Sequence, residues 1–329
     1  MLLGITAARE AACKELAKTL TRLVRERFPD QALTADLGPP VPDVLVAIGD
    51  DRFLLDVLRD SGPKTAILAV GMGFLAETTP ERAEAAVKSV LAGSFGVEER
   101  LRLDVGLGGK KLAPVMNEAA LSASRGGGFI RYTLEIDGER VWRDSGDGVI
   151  ICTPTGSTGY GLSAGGPIVM ENAETILIVP ICSSTGQHPL VVPRQSSIRI
   201  TEVESRLAKD VVLDGSTRVR LRASGFSVME SRSPARFVRL GKARYLPIFG
   251  KFRSGANSSE KLAGAPPSAK FVYRLLEDQG PLTERQVMAE SGLPERTARN
   301  ALSELIRRKL VQRVPSLRDT REVIFSIMP

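Results

Sequence analysis

The sequence predicts an α/β domain, a β-rich domain and a small α+β domain, in that order along the chain. Near the N-terminus, continuous apolar runs alternate with segments of helical spacing, which is typical of a parallel sheet covered by helices. From residue 102 onward, short alternating runs are separated by glycine turns. The predicted boundaries are residues 1–100 for the first domain, 101–253 for the second and 268–329 for the third, with a linker over 254–267.

Composition restricts the function classes. The 329 residues carry a formal net charge of +7, which favours an anionic partner such as a nucleotide or nucleic acid. With three widely spaced cysteines and one histidine, the sequence indicates neither a disulfide framework nor a metal site, and a histidine pair is excluded. There is no apolar run of membrane-spanning length and no signal peptide pattern, so we expect a cytoplasmic protein.

Two predicted strands of the first domain end in polar or glycine-rich loops. The apolar run 44–48 ends in Gly49-Asp50-Asp51-Arg52 ahead of a helix, and the run 66–70 ends in Gly71-Met72-Gly73. Open α/β sheets bind ligands at the carboxyl ends of neighbouring strands. We therefore expect a ligand site where these two loops meet.

The second domain contains a strand over 149–152 that enters a loop with the sequence TPTGSTGYG. Its glycines allow close approach and positive φ, and Thr155, Ser157 and Thr158 offer hydroxyl donors, so the loop suits phosphate oxygens. The alternative is a Gly/Ser/Thr turn with no ligand. Asp137-Gly138 and Asp214-Gly215 are hairpin turn signals.

The third domain follows a segment rich in Gly, Ala, Ser and Pro. Three helical patterns and two β runs with a basic tip between them are typical of a winged helix-turn-helix domain. Such a domain puts its third helix in the DNA major groove and its wing on the backbone. The candidate DNA contacts are Arg296, Thr297, Arg299, Asn300, Arg318 and Arg321. Residues 268–329 contain eleven Lys and Arg against eight Asp and Glu, so dimerisation or protein binding is the alternative role.

Ordered motifs in the first two domains resemble those of the ATP-dependent NAD kinases, of the NAD kinase and diacylglycerol kinase-like superfamily. The resemblance covers about 250 residues of the chain, and the motifs lie in the family's order. They are Gly73-Phe74-Leu75, Asn117-Glu118, Asp147-Gly148, the run 153–169, Pro180-Ile181-Cys182, the run 189–193 and Asp214-Gly215.

This resemblance implies a kinase that uses NAD and ATP, with Mg²⁺ on the ATP phosphates and a homo-oligomeric assembly. It implies that Asp51 is the catalytic base, that Asn117 and Glu118 hold the adenosine end of NAD, and that Asp147 contacts the far end. The further nucleotide contacts that we expect are Arg52, Gly73, Phe74, Thr155, Thr158, Gly159, Tyr160 and Ser163.

The chain departs from the family around the catalytic aspartate. Gly-Gly-Asp-Gly-Thr of the family is Gly49-Asp50-Asp51-Arg52-Phe53 here, so two glycines have become charged residues. Arg52 could pair with a phosphate or with Asp51. The family's glutamine after Asp214-Gly215 is Ser216.

Three functions therefore remain open at this point. The first is an NAD kinase with the winged helix as an accessory domain. The second is an NAD(P)-sensing transcriptional regulator with degraded ATP chemistry. The third is a kinase of the same superfamily that acts on another substrate.

Overall fold

The computed structural model describes residues 1–34, 40–124, 128–241, 262, 264–279, 281–291, 293–308, 310–315 and 323–327. They belong to two compact units, residues 1–242 and 243–329, and each unit is described by itself. In the described part of the chain, no helix is long and apolar enough to cross a membrane.

The first unit begins with an α/β sheet. Its helices and strands are β1 (Leu3–Ala7), α1 (Ala11–Arg27), β2 (Leu33–Thr34), β3 (Val44–Ile48), α2 (Asp51–Asp60), β4 (Ala66–Val70), α3 (Ala83–Leu91), β5 (Gly96–Arg100) and, from the far end of the unit, β18 (Ala235–Arg239). The sheet order is β2-β1-β3-β4-β18-β5. Only β5 runs antiparallel to its neighbour in this sheet. Every residue of β3 and β4 is buried, as the continuous apolar runs predict.

The β-rich part of the unit consists of two six-stranded antiparallel sheets. Its strands are β6 (Leu103–Leu107), β7 (Lys110–Lys111), β8 (Glu118–Ala123), β9 (Ile130–Ile136), β10 (Glu139–Gly146), β11 (Gly148–Cys152), β12 (Thr175–Ile181), β13 (Leu190–Pro193), β14 (Ile198–Ser205), β15 (Lys209–Leu213), β16 (Thr217–Arg220) and β17 (Phe226–Glu230). One sheet has the order β10-β9-β14-β17-β6-β7 and the other β13-β12-β11-β8-β15-β16. Side chains of both sheets, among them Leu121, Tyr132 and Ile151, form one apolar core, so the sheets pack as a sandwich.

Both hairpin turns lie where the sequence predicts them. Asp137 and Gly138 join β9 to β10 with φ of 53° and 89°, and Asp214 and Gly215 join β15 to β16 with φ of 46° and 65°. Positive φ at both central positions suits the two-residue hairpin at 137–138, whereas the second loop has three residues, 214–216, because Leu213 pairs with Thr217.

One strand belongs to a different sheet from the one the sequence suggests. We expected residues 237–240 to belong to the β-rich domain, whereas β18 pairs with β4 and β5 in the first sheet. Phe237 and Val238 are buried in the α/β core. An apolar alternation predicts a strand but not its partner, so the return of the chain was not evident from the pattern.

The second unit contains three helices and a three-stranded sheet. The elements are α5 (Pro267–Gln279), β19 (Leu282–Thr283), α6 (Glu284–Ser291), α7 (Glu295–Arg307), β20 (Val311–Pro315) and β21 (Val323–Ile327), with sheet order β19-β21-β20. Their apolar core includes Leu262 and Ala265, which the sequence assigned to the linker. The linker residues 254–261 lie outside the described residues.

Candidate functional site

Asp51 is the first residue of α2, which begins directly after β3. The preceding Asp50 is the N-cap, and its carboxylate accepts a hydrogen bond from the Phe53 N–H at 2.8 Å. Asp50 has a φ of −77°, which any residue adopts without strain. The change from glycine to Asp50 is therefore compatible with the backbone, and the carboxylate supplies a helix cap.

The Asp51 carboxylate is held by the loop that follows β4. It accepts hydrogen bonds from the Phe74 N–H at 2.7 Å and the Leu75 N–H at 3.0 Å. Gly73 lies against the same carboxylate, with no room for a side chain. Two N–H donors leave roughly half of the carboxylate's acceptor positions open, so Asp51 can still accept a hydrogen bond from a substrate hydroxyl.

Arg52 follows Asp51 in the first turn of α2. Its side chain is exposed, and within the described residues no ion pair joins it to Asp51. The structure therefore does not show the pairing of Arg52 with Asp51 that the sequence left open. Arg52 remains available to an anion at the positive end of α2.

Asn117 and Glu118 lie at the start of β8, next to the turn between β15 and β16. The Asp214 carboxylate accepts hydrogen bonds from the N–H groups of Met116, at 3.1 Å, and Asn117, at 2.7 Å. The Asn117 side-chain Oδ1 is buried and has no hydrogen-bond donor among the described residues. A buried amide oxygen without a partner favours a ligand that donates to it.

Glu118 and Asp214 form a pair of buried carboxyl groups. Burial is the largest cause that raises the pKa of Glu118 to about 7, and the negative charge of Asp214 is the second. The hydrogen bond from the Gly215 backbone acts in the opposite direction and lowers this pKa. Burial also raises the pKa of Asp214, although the N–H groups of Asn117 and Met116 and the charge of Arg59 act in the opposite direction. Glu118 is thus close to half-protonated at neutral pH.

The loop TPTGSTGYG is more regular than the sequence suggests. Thr155–Thr158 form a 3-10 turn and Tyr160–Ser163 a short helix, α4. The Ser157 hydroxyl donates to the Pro154 carbonyl at 2.6 Å, and the Thr158 hydroxyl donates to the Thr155 carbonyl at 3.2 Å. The expectation that these hydroxyl groups face phosphate is therefore wrong for Ser157, which is buried, because the turn itself uses its hydroxyl.

The glycines of this loop serve close packing more than unusual dihedral angles. Of Gly156, Gly159, Gly161 and Gly165, only Gly165 has a positive φ, of 89°. A Cβ on Gly156 would lie 2.2 Å from the Asn117 carbonyl oxygen, so this glycine lets the loop contact the Asn117 backbone. The other three have no positive φ, although Gly159 has a ψ of −124° at a φ of −95°.

The structure brings most of the predicted NAD-site residues together. A Cβ on Gly159 would lie 3.9 Å from the Glu118 Oε2 and 4.0 Å from the Asn117 Nδ2. Asp147 is exposed and shares a hydrogen bond with the Cys182 thiol. The pKa of Tyr160 is raised mainly by burial and, as the second cause, by the negative charge of Asp147. Thr155 is buried, Thr158 half-buried and Ser163 exposed along the same turn.

The Asp51 loop and the Asn117 segment adjoin through an apolar cluster. Met116, directly before Asn117, packs in the same cluster as Leu54 of α2 and Leu75. The loop whose N–H groups bind Asp51 and the segment that carries Asn117 therefore pack against the same apolar cluster.

Four of the six candidate DNA contacts lie on α7. Arg296, Arg299 and Asn300 are exposed and Thr297 is half-buried. Arg299 forms ion pairs with Glu284 and, at 2.8 Å, with Glu295. Arg318 and Arg321 lie outside the described residues.

Sequence reasoning missed the contacts of two residues that support the site. Asp214 was visible as a turn signal and as part of a family motif, but its contacts with Met116 and Asn117 depend on the pairing of β15 with β8. Arg59 belongs to the last turn of α2, where a cation suits the helix dipole and predicts nothing more. The Asp-Gly motif was the available signal for Asp214.

A parallel sheet whose strand ends carry a helix N-terminus, beside a glycine-rich turn and buried polar side chains, defines a nucleotide-binding protein of two adjoining domains. Residues 116–240 match the ATP-NAD kinase C-terminal domain family. The NAD kinase of Methanopyrus kandleri is 36% identical over 222 residues, which cover 66% of this chain and 79% of that protein. The NAD kinase of Aquifex aeolicus is 35% identical over 206 residues, covering 60% and 75%.

Solved structures agree with these relatives. An NAD kinase from Archaeoglobus fulgidus in complex with ATP has a TM-score of 0.65 and 27% identity, covering 77% of this chain and 99% of that chain. Yeast NADH kinase complexed with NADH has the same fold, with a TM-score of 0.70 and 23% identity, covering 77% and 87%. The chain belongs to the NAD kinase family.

Proposed function

We propose that this protein transfers the γ-phosphate of ATP to the 2′-hydroxyl of the adenosine ribose of NAD and so forms NADP. The observation that carries the proposal is the position of Asp51 at the start of α2, with its carboxylate fixed by the Phe74 and Leu75 N–H groups. Membership of the NAD kinase family supports the substrates.

The reaction needs one base and good positioning. The ribose oxygen attacks the γ-phosphorus, the bond between that phosphorus and the β,γ-bridging oxygen breaks, and ADP leaves. Asp51 accepts the hydroxyl proton as the oxygen–phosphorus bond forms. The two N–H groups keep the carboxylate in a fixed orientation during this step.

The dinucleotide lies along the Asn117 segment and the loop TPTGSTGYG in this proposal. Asn117 and Glu118 hold the adenosine end, where the unpaired Asn117 Oδ1 accepts a hydrogen bond from the nucleotide. Asp147 contacts the far end. The residues that line the path between them are Thr155, Thr158, Gly159, Tyr160 and Ser163.

The ATP phosphates lie at the N-terminus of α2. Arg52 supplies a positive charge there, and the Gly73-Phe74 backbone borders the site. Among the described residues, no group of three His, Cys, Asp or Glu side chains could hold a metal. We therefore expect Mg²⁺ to arrive with ATP as part of the substrate, held mainly by phosphate oxygens and water, and to neutralise phosphate charge.

The substitutions around Asp51 favour an active kinase over a sensor with degraded chemistry. Asp50 caps α2, and neither it nor Arg52 has a positive φ that would require glycine. The proposed kinase activity is tested by incubating the purified full-length protein with NAD, ATP and Mg²⁺ and measuring NADP. Calorimetric titration of NAD alongside would identify a sensor by binding without turnover.

For the second unit we propose a winged helix-turn-helix domain over residues 268–329, following domains at 1–100 and 101–253. The three helices and the sheet β19-β21-β20 support it. Exposed Arg296 and Asn300 on α7 support binding of double-stranded DNA, whereas the acidic partners of Arg299 weaken that surface. A cytoplasmic location and a homo-oligomeric state are also proposals.

A further inference from the structure

Arg59 is a partly buried cation that links the helix of Asp51 to the dinucleotide side of the site. It lies in the last turn of α2, and its side chain is 16% exposed. The guanidinium Nη2 donates to the Ser216 hydroxyl at 3.2 Å and lies 3.9 Å from the Asp214 Oδ2. On the solvent side, Nη1 pairs with the exposed Asp56 at 3.0 Å.

Asp214 is the residue through which Arg59 reaches the site. Its side chain is fully buried, and its two oxygens accept the N–H groups of Met116 and Asn117. The Asp214 N–H in turn donates to the Glu118 carbonyl at 2.9 Å. Asp214 therefore determines where the backbone of the Asn117-Glu118 pair lies.

A second buried carboxyl group makes the charge of Asp214 costly. Glu118 lies close enough that each carboxylate disfavours ionisation of the other. Two arginines interact electrostatically with Asp214, namely Arg59 and Arg102. Arg102 gives its donors to the carbonyl groups of Leu58 and Ser233 and to the Ser233 hydroxyl, so within the described part of the chain Arg59 alone makes an ion pair with Asp214. The charge of Glu118 also contributes to the raised pKa of the Cys152 thiol and of the Tyr160 hydroxyl.

We propose that Arg59 is a positioning residue for the dinucleotide: its charge keeps Asp214 ionised, and ionised Asp214 holds the Met116 and Asn117 N–H groups that orient Asn117 and Glu118. The dinucleotide part of this statement rests on the proposed function. Protonation removes the negative charge from both oxygens of Asp214, so the Met116 and Asn117 N–H groups lose a charged acceptor and are held less strongly.

Loss of Arg59 should therefore weaken NAD binding in a pH-dependent way. Removing the cation raises the pKa of the Asp214 carboxyl, so in Arg59→Gln this group is protonated over a wider pH range. We expect the Kd for NAD to rise about tenfold at pH 6.5, which corresponds to the loss of one hydrogen bond, and to return toward the wild-type value at pH 9. Arg59→Lys should restore most of the affinity, because it keeps the charge.

The experiment is calorimetric titration of NAD into full-length wild type, Arg59→Gln, Arg59→Lys and Asp56→Asn at both pH values. Asp56→Asn is the matched control, because it removes the exposed partner of Arg59 and leaves Asp214 paired. We expect this control to bind NAD as wild type does. Equal weakening of Arg59→Gln at pH 6.5 and pH 9, or no weakening, would overturn the proposal.

Urea unfolding of the same variants separates this proposal from the proposed function. If Arg59 compensates Asp214, Arg59→Gln loses more stability at pH 8, where a buried carboxylate is left unpaired, than at pH 5. This difference does not depend on any nucleotide. A wild-type protein that binds no NAD would contradict the proposed function, whereas an equal loss of stability at both pH values would contradict the role of Arg59.

Discussion

The Asp51 carboxylate occupies the space that a side chain on Gly73 would need. A Cβ built on Gly73 would lie 2.0 Å from the Asp51 Oδ1 and 2.3 Å from its Cγ. The proposed base and the loop after β4 are thus fitted to each other, and the N–H groups of the next two residues complete the contact.

Gly73→Ala should therefore lower turnover by displacing Asp51. The added methyl group forces the carboxylate away from the Phe74 and Leu75 N–H groups, and a misplaced base lowers kcat by about 10²-fold. Steady-state kinetics with NAD and ATP measure this effect. Gly62→Ala is the control, since nothing lies within 4 Å of a Cβ there. Equal kcat values for the two variants would contradict the contact.

The Glu118 carboxyl should make stability depend on pH. Its pKa is near 4.5 in the unfolded chain and about 7 in the folded protein. A raised folded-state pKa stabilises fully below pH 4.5, and this contribution is lost as the pH rises to about 7. The loss is on the order of 3 kcal/mol.

The neutral variant Glu118→Gln lacks this contribution to the pH dependence. Urea unfolding of wild type and variant at pH 5 and pH 8 measures it, and we expect the wild type to lose more stability than the variant between these values. The same change in both proteins would mean that Glu118 is not buried beside Asp214.

The surface of α7 should bind duplex DNA through Arg296 more than through Arg299. Arg299 already pairs with Glu284 and Glu295, whereas no ion pair involves Arg296 among the described residues. Fluorescence anisotropy with duplex DNA at low salt should show binding at least about threefold weaker for Arg296→Ala, and a smaller change for Arg299→Ala. Arg307→Ala, at the far end of α7, serves as the control. If the full-length protein binds no duplex DNA, the proposal that the second unit binds DNA is contradicted.

The sequence predicted the elements better than their contacts. The buried strands β3 and β4 and both Asp-Gly turns follow from local patterns, and the structure confirms them. The membership of β18 in the first sheet could not be predicted, because alternation does not identify a partner strand.

In the candidate site, too, the sequence predicted the residues better than the contacts between them. The resemblance implied that Asn117 and Glu118 hold the adenosine end of NAD and that Asp147 contacts the far end, but it gave no sign that Glu118 would be buried against Asp214. That pairing depends on the register of β8 and β15, in which Leu213 lies opposite Ala119. The sequence likewise suggested damage at Asp50, whereas the structure gives it the role of a helix cap.

The measurement that tests the central claim most directly is NADP formation from NAD, ATP and Mg²⁺ by full-length wild type, Asp51→Asn and Asp60→Asn. Asp60 lies exposed at the other end of α2, so its variant controls for loss of a charge from the helix. We predict that the wild type and Asp60→Asn form NADP, and that Asp51→Asn is slower by at least about 10²-fold while still binding NAD. Equal rates for Asp51→Asn and wild type, or no NADP from the wild type, would contradict the account.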